Sequence, residues 1–162
     1  MGLFNNKKEM TDEEVGHLFN AGMTYLTCKA FSSAYSCFDK IFRKDSALLF
    51  NKALCWFEIG QYEKCYEQLR EAELSLPGEP IDKAEQLPPP FGQWEYEESS
   101  PFCPMPQEVP PTTAFTQLMR LKAESAFRLR LYGEVRNISA ILGSNYRHVN
   151  ELVKRIDNDD LW

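Results

Sequence analysis

The residues with chemistry to offer are few and poorly spaced for it. The two histidines, His17 and His148, fall on different expected helices, and neither has a serine or cysteine at a spacing that would make it the base of a nucleophile. The five cysteines are Cys28, Cys37, Cys55, Cys65 and Cys103; they form no Cys-x-x-Cys pair and have no histidine at finger spacing. Neither a zinc site nor a disulfide framework is expected from them. Cys28, Cys37, Cys55 and Cys65 lie among apolar helical residues, where a reduced cysteine acts as a small hydrophobe, and this points to a reducing, cytoplasmic setting. Glu13-Glu14 and Glu97-Glu98 are neighbours in sequence and say no more than solubility as acid/base pairs. No glycine-rich phosphate loop and no His-Glu-x-x-His run occurs. A protein with no enzymatic activity, no metal and no cofactor is expected.

Charge and proline are unevenly spread along the 162 residues. All ten prolines lie between Pro77 and Pro111, a stretch that also carries seven acids against the single Lys83. Residues 112–156 are basic, through Arg120, Lys122, Arg128, Arg130, Arg136, Arg147, Lys154 and Arg155. A solvated face, or an intramolecular partner for the acidic insert, accounts for them, and with a pI of about 5.0 no nucleic-acid partner is expected. No apolar run approaches the roughly 18 residues of a membrane helix, so no membrane partner is expected. The opening Met1 to Lys8 is neither a signal peptide nor, with Asn6 in place of Ser or Thr, a myristoylation signal. Asn137-Ile138-Ser139 matches a glycosylation acceptor by chance.

The elements that must position any site read as helices throughout. Residues 1–10 form a flexible end, and Thr11-Asp12-Glu13-Glu14 is a capping box opening a helix to about Cys28. Helices follow over about 31–43, from the Asp45-Ser46 cap to Ile59, and over 61–76; Gly60 ends the third. The third is apolar around most of its circumference and should be buried from several sides. Proline bars a regular helix from 77–111, yet that insert carries Phe91, Trp94, Tyr96, Phe102 and Met105, more apolar bulk than a plain linker holds. Helices resume over about 114–130, with Thr112 or Thr113 as cap, then 133–142 and 145–157. The last bears one stripe of Tyr146, Val149, Val153 and Ile156 and should close the end of the stack. Residues 158–162 form an acidic tail.

An internal repeat is the strongest signal. Leu18-x-x-Ala21-Gly22-x-x-Tyr25, followed by Phe31, Ala34, Phe38 and Ile41, recurs 31 residues on as Leu49-x-x-Lys52-Ala53-x-x-Trp56, then Tyr62, Cys65, Leu69, Ala72 and Pro77. A weaker third copy is Met119-x-x-Lys122-Ala123-x-x-Ala126, then Phe127, Tyr132, Val135 and Leu142. The pattern resembles the tetratricopeptide repeat (TPR), a helix–turn–helix unit, over residues 11–76 closely and 113–143 loosely. Small residues such as Gly22, Ala34, Ala53 and Cys65 would let paired helices approach, and Tyr25, Phe38, Trp56 and Leu69 would fill the holes between them. The expected fold is all-α, a right-handed superhelix of about three helix pairs (11–43, 45–76 and 113–143) with a capping helix over 144–157.

The resemblance implies a concave groove lined by the first helix of each pair. Threading the copies places Phe19, Met23 and Leu26 there, then Phe50, Leu54, Phe57 and Glu58, then Gln117, Arg120, Glu124, Phe127 and Arg128. The groove would be apolar over two units and charged at one end, suited to a protein or peptide with apolar anchors and an acidic group. Some relatives hold carboxylates with a lysine-asparagine clamp; only Asn51 fits that pattern here, so the clamp is not expected. The function implied is a noncatalytic protein-interaction module. A small secretion or assembly chaperone, or a structural subunit that self-associates as a homo-oligomer, are the alternatives. Trp56 is expected at the densest packing, Trp94 docked on the array with Glu95, Glu97 or Glu98 near its basic third, and the tail Asp157 to Trp162 is a candidate groove ligand.

Overall fold

The computed structural model describes residues 10–76 and 102–159, and these form an all-helical chain with seven helices and no strand among the described residues. The helices are α1 (Asp12–Thr27), α2 (Phe31–Asp39), α3 (Ser46–Glu58), α4 (Tyr62–Leu74), α5 (Pro111–Arg128), α6 (Tyr132–Ile141) and α7 (Arg147–Asp159). The expectations for the flexible end, for Trp94 and its neighbouring glutamates, and for the last three residues of the tail fall outside the described residues.

Local sequence accounts for most boundaries. Thr11 caps α1 through its side chain, which accepts from the Glu14 amide, while Glu14 reaches back to the Thr11 amide. Asp45 caps α3 by accepting from the Leu48 amide at 2.7 Å. α5 starts at Pro111, ahead of the expected threonine caps, because proline at the first helical position loses no hydrogen bond and arrives with a helical φ. α2 stops at Asp39, short of the expected 43: Ile41 turns inward and Phe42 is left 66% exposed.

Three helical hairpins, α1–α2, α3–α4 and α5–α6, turn in the same way. Lys29 (φ 60°), Gly60 (φ 83°) and Arg130 (φ 61°) occupy the left-handed region at equivalent positions. Each donates its amide to a carbonyl three residues back (Leu26, Phe57, Phe127), and the next residue donates to one five back (Tyr25, Trp56, Ala126). This is the Schellman closure, and it satisfies carbonyls that a helix end otherwise leaves unpaired. Each hairpin packs on the next through α2 with α3 and α4 with α5, α3 also meets α5, and α7 lies on both α5 and α6.

Close approach inside the first hairpin depends on Gly22, where an added Cβ would lie 2.5 Å from Phe38 Cε1. Phe38 and Leu69 are 0% exposed, as the repeat pattern predicts, and α3 is buried on most sides from Ala47 to Phe57. Trp56 corrects the pattern: it is only half-buried, its ring tilted at 59° against Tyr35 of the preceding hairpin with centroids 4.9 Å apart, and under the Lys64 ammonium. Tyr25, its counterpart in the first hairpin, is 43% exposed, since no hairpin precedes it among the described residues. Cys28 is exposed at the end of α1, unlike Cys55 and Cys65, whose thiols burial pushes up to about 12.

The expected solvated basic face is not what forms on α5, where Arg120 and Lys122 are buried. Lys122 ties three helices together, bonding Glu73 of α4 at 2.8 Å and Glu134 of α6 at 3.2 Å. Burial alone would lower its pKa, but the two carboxylates raise it above the ordinary lysine value. Among the described residues no helix is long and apolar enough to cross a membrane.

Candidate functional site

α3, α5 and α7 present side chains to one non-helical stretch, Phe102 to Pro110, the end of the proline-rich insert. The sequence of that stretch limits its backbone. Cys103 and Met105 each precede a proline, which biases both toward an extended conformation, and Pro104 and Pro106 have no amide proton to satisfy. The stretch from 103 to 106 therefore offers two amide donors, those of Cys103 and Met105.

Asn51 of α3 reads the second of them. Its Oδ1 accepts from the Met105 amide at 2.8 Å, and its Nδ2 donates to the Met105 carbonyl at 2.9 Å. Asn51 and Met105 are both 0% exposed. A carboxamide buried on an apolar helix costs free energy unless it is bonded on both sides, and here a single residue's backbone satisfies both. Met23 of α1 stands beside the pair, its Sδ 3.5 Å from Asn51 Nδ2. On the α5 side, Gln117 Nε2 donates to the Cys103 carbonyl at 2.6 Å. Two carboxamides thus hold the backbone at alternate residues, 103 and 105.

The side chains of the stretch are held separately. Phe102 stacks on Phe57 of α3 with ring centroids 4.9 Å apart and planes at 25°, and meets the His148 ring of α7 edge-on at 6.4 Å. Phe57 also touches Tyr62 at 5.1 Å and lies under the Arg128 guanidinium at 6.0 Å. At this end of the groove Glu124 is almost fully buried between Arg128 and His148, each at 3.2 Å. Burial pushes the Glu124 carboxyl upward, but the bonds and charges of His148 and Arg128 outweigh it and hold the group below the ordinary carboxylate value. The His148 contact is made through Nε2, and its buried Nδ1 has no hydrogen-bond partner among the described residues. A carboxylate engaged from two sides bridges helices and is poorly placed to take a proton from a substrate.

The groove residues expected from the repeat separate into three groups. Met23, Phe57, Glu124 and Arg128 surround the 102–105 stretch or its partners. Phe19, Leu26, Phe50 and Leu54 are 0–6% exposed and belong to the core, with Phe19 edge-on to Phe38 at 5.5 Å. Arg120 is 1% exposed with its guanidinium 5.5 Å from the Tyr146 ring, while Phe127 turns to Tyr132 of α6 and Arg155 of α7.

Asn51, which fits only one position of a clamp, holds both sides of the Met105 backbone, and His148, which has no partner by spacing, pairs with Glu124. One signal for Asn51 was available, a polar residue in the middle of the most apolar helix. None was available for His148, because Glu124 lies 24 residues away on another helix. Among the described residues, no group of three or more His, Cys, Asp or Glu side chains is placed to hold a metal ion. No family model, curated protein or solved structure matches the chain.

Proposed function

We propose that the chain is a short TPR-like array acting as a noncatalytic protein-interaction module, with an extended segment of a partner bound along the face formed by α1, α3 and α5. The observation that carries this reading is the Asn51 carboxamide on the backbone of Met105, with Gln117 on Cys103. Backbone hydrogen bonds of this kind accept any sequence that is extended, and side-chain pockets beside them add selectivity. The three equivalent turns support the repeat reading, since the 31-residue period in sequence corresponds to one hairpin in structure. Free thiols at all five cysteines are consistent with a cytoplasmic protein.

The test is selection of peptides from a displayed library on the folded full chain, followed by titration of wild type and Phe57→Ser. Selected peptides should lose at least about tenfold in affinity to Phe57→Ser, an aromatic anchor at the centre of a contact surface. Equal binding to wild type and a folded Phe57→Ser would move the binding surface elsewhere, and failure to select any peptide would remove the reading.

A further inference from the structure

Resting on that reading, we infer that Phe102 to Met105 is a resident copy of the ligand: the site takes a non-helical partner segment with an aromatic residue and, three positions on, a methionine-sized apolar residue, and Phe102 to Met105 must leave before the partner enters. Four features of the resident stretch carry this. Its backbone is held at Cys103 and Met105 by side chains, Gln117 and Asn51, which a second chain would meet in the same way. Its two apolar anchors are spaced by three, the half-buried Phe102 on Phe57 and the fully buried Met105 in the core. Between and after them Cys103, Pro106, Gln107 and Glu108 are exposed and Pro104 is half-buried, so the aromatic-x-x-methionine pattern is the main feature read from the stretch. Finally, the stretch belongs to the end of the proline-rich insert, ahead of α5, and to no hairpin, so removing it breaks no helix.

The consequence is competition. A tethered ligand acts at an effective concentration of about millimolar, so a free segment of equal intrinsic affinity binds weakly until the tethered one is weakened or outcompeted. Apparent affinity falls by the fraction of molecules with an open groove.

The probe is a fluorescently labelled synthetic peptide with the sequence of residues 102–109, titrated into the full-length chain. Against the variant Phe102→Ala/Met105→Ala, which lacks both resident anchors, it should bind at least about tenfold more tightly than against wild type. A control peptide with both anchors changed to alanine should bind neither protein, and adding Asn51→Ala to the double variant should abolish binding. Should the double variant fail to fold, wild type answers by hydrogen exchange: millimolar peptide should speed exchange at the Met105 amide while the amides of α3 stay protected. No gain in the double variant, or a Met105 amide that exchanges only with global unfolding at every peptide concentration, overturns the resident-ligand inference. If library-selected peptides of another pattern still bind and still need Phe57, the interaction module stands without it; if none binds, both fall.

Discussion

Alanine at Gly22 and alanine at Gly16 should shift stability in opposite directions, although both glycines lie in α1. In an open helical position Gly→Ala stabilises by about 1 kcal/mol, because glycine has more backbone freedom to lose. Gly16 has nothing within 4 Å of an added Cβ, so Gly16→Ala should gain about 0.5–1 kcal/mol. At Gly22 the same methyl would lie 2.5, 2.7 and 2.9 Å from three atoms of the Phe38 ring. That ring is 0% exposed and braced edge-on by Phe19, so it has little room to swing away. Overpacking a core of this kind costs about 1–3 kcal/mol, and a contact this short belongs in the upper half of the range. The net expectation is a loss of about 1–2 kcal/mol for Gly22→Ala, and a gap of about 1.5–3 kcal/mol between the two variants. Urea unfolding followed by circular dichroism, with unchanged slope, measures both. Phe38→Leu should cost less in the Gly22→Ala background than in wild type, which a double-mutant cycle reads directly. Gly22→Ala as stable as wild type would mean that α1 and α2 do not approach as closely as described, and the groove geometry built on that hairpin would be lost with it.

Three further outcomes follow from particular side chains. Arg130→Gly should raise stability by about 0.5–1 kcal/mol, since Arg130 sits at φ 61° where a side chain is strained and glycine is not; a fall in the thermal midpoint would count against that turn. Phe38→Ala should cost about 3–5 kcal/mol and Trp56→Ala only about 1–3 kcal/mol, because the first is fully buried and the second half-buried; the reverse order in urea would contradict the packing. Glu124 has its carboxyl held below the ordinary value of 4.5, so its contribution to stability is present above that value and is lost as pH falls through the lower folded-state one. Glu124→Gln should therefore be less stable than wild type near neutral pH, with the gap narrowing as pH falls from about 4.5 through the lower folded-state value, and a gap that does not narrow on acidification would show that the ion pairs are not its source.

The helices, their number among the described residues and the period that relates the hairpins were legible in sequence. Thr11-Asp12-Glu13-Glu14, Asp45 and Gly60 act within one turn of themselves, and the 31-residue recurrence needs no knowledge of neighbours. Boundaries failed where a distant contact decided them. α2 ends at Asp39 because Ile41 turns inward, and α5 reaches back to Pro111, which no threonine cap could announce. Burial failed for the same reason: Trp56 has the pattern of a core residue, but the depth to which it is covered depends on Tyr35 and Lys64, outside its own helix.

The sequence alone determined an all-helical chain with small residues where helices meet and a proline-rich stretch, one end of which lies outside any helix. Those properties follow from local backbone preference and from periodic burial, both written within a few residues of each position. Tertiary structure alone decided what lies in the groove. Asn51 and Met105 are 54 residues apart, His148 and Glu124 are 24 apart, and Lys122 and Glu73 are 49 apart. Each of these polar groups is tolerable in a low-dielectric interior only because folding delivers its partner, and that delivery depends on how the hairpins stack, which no single stretch of the chain encodes.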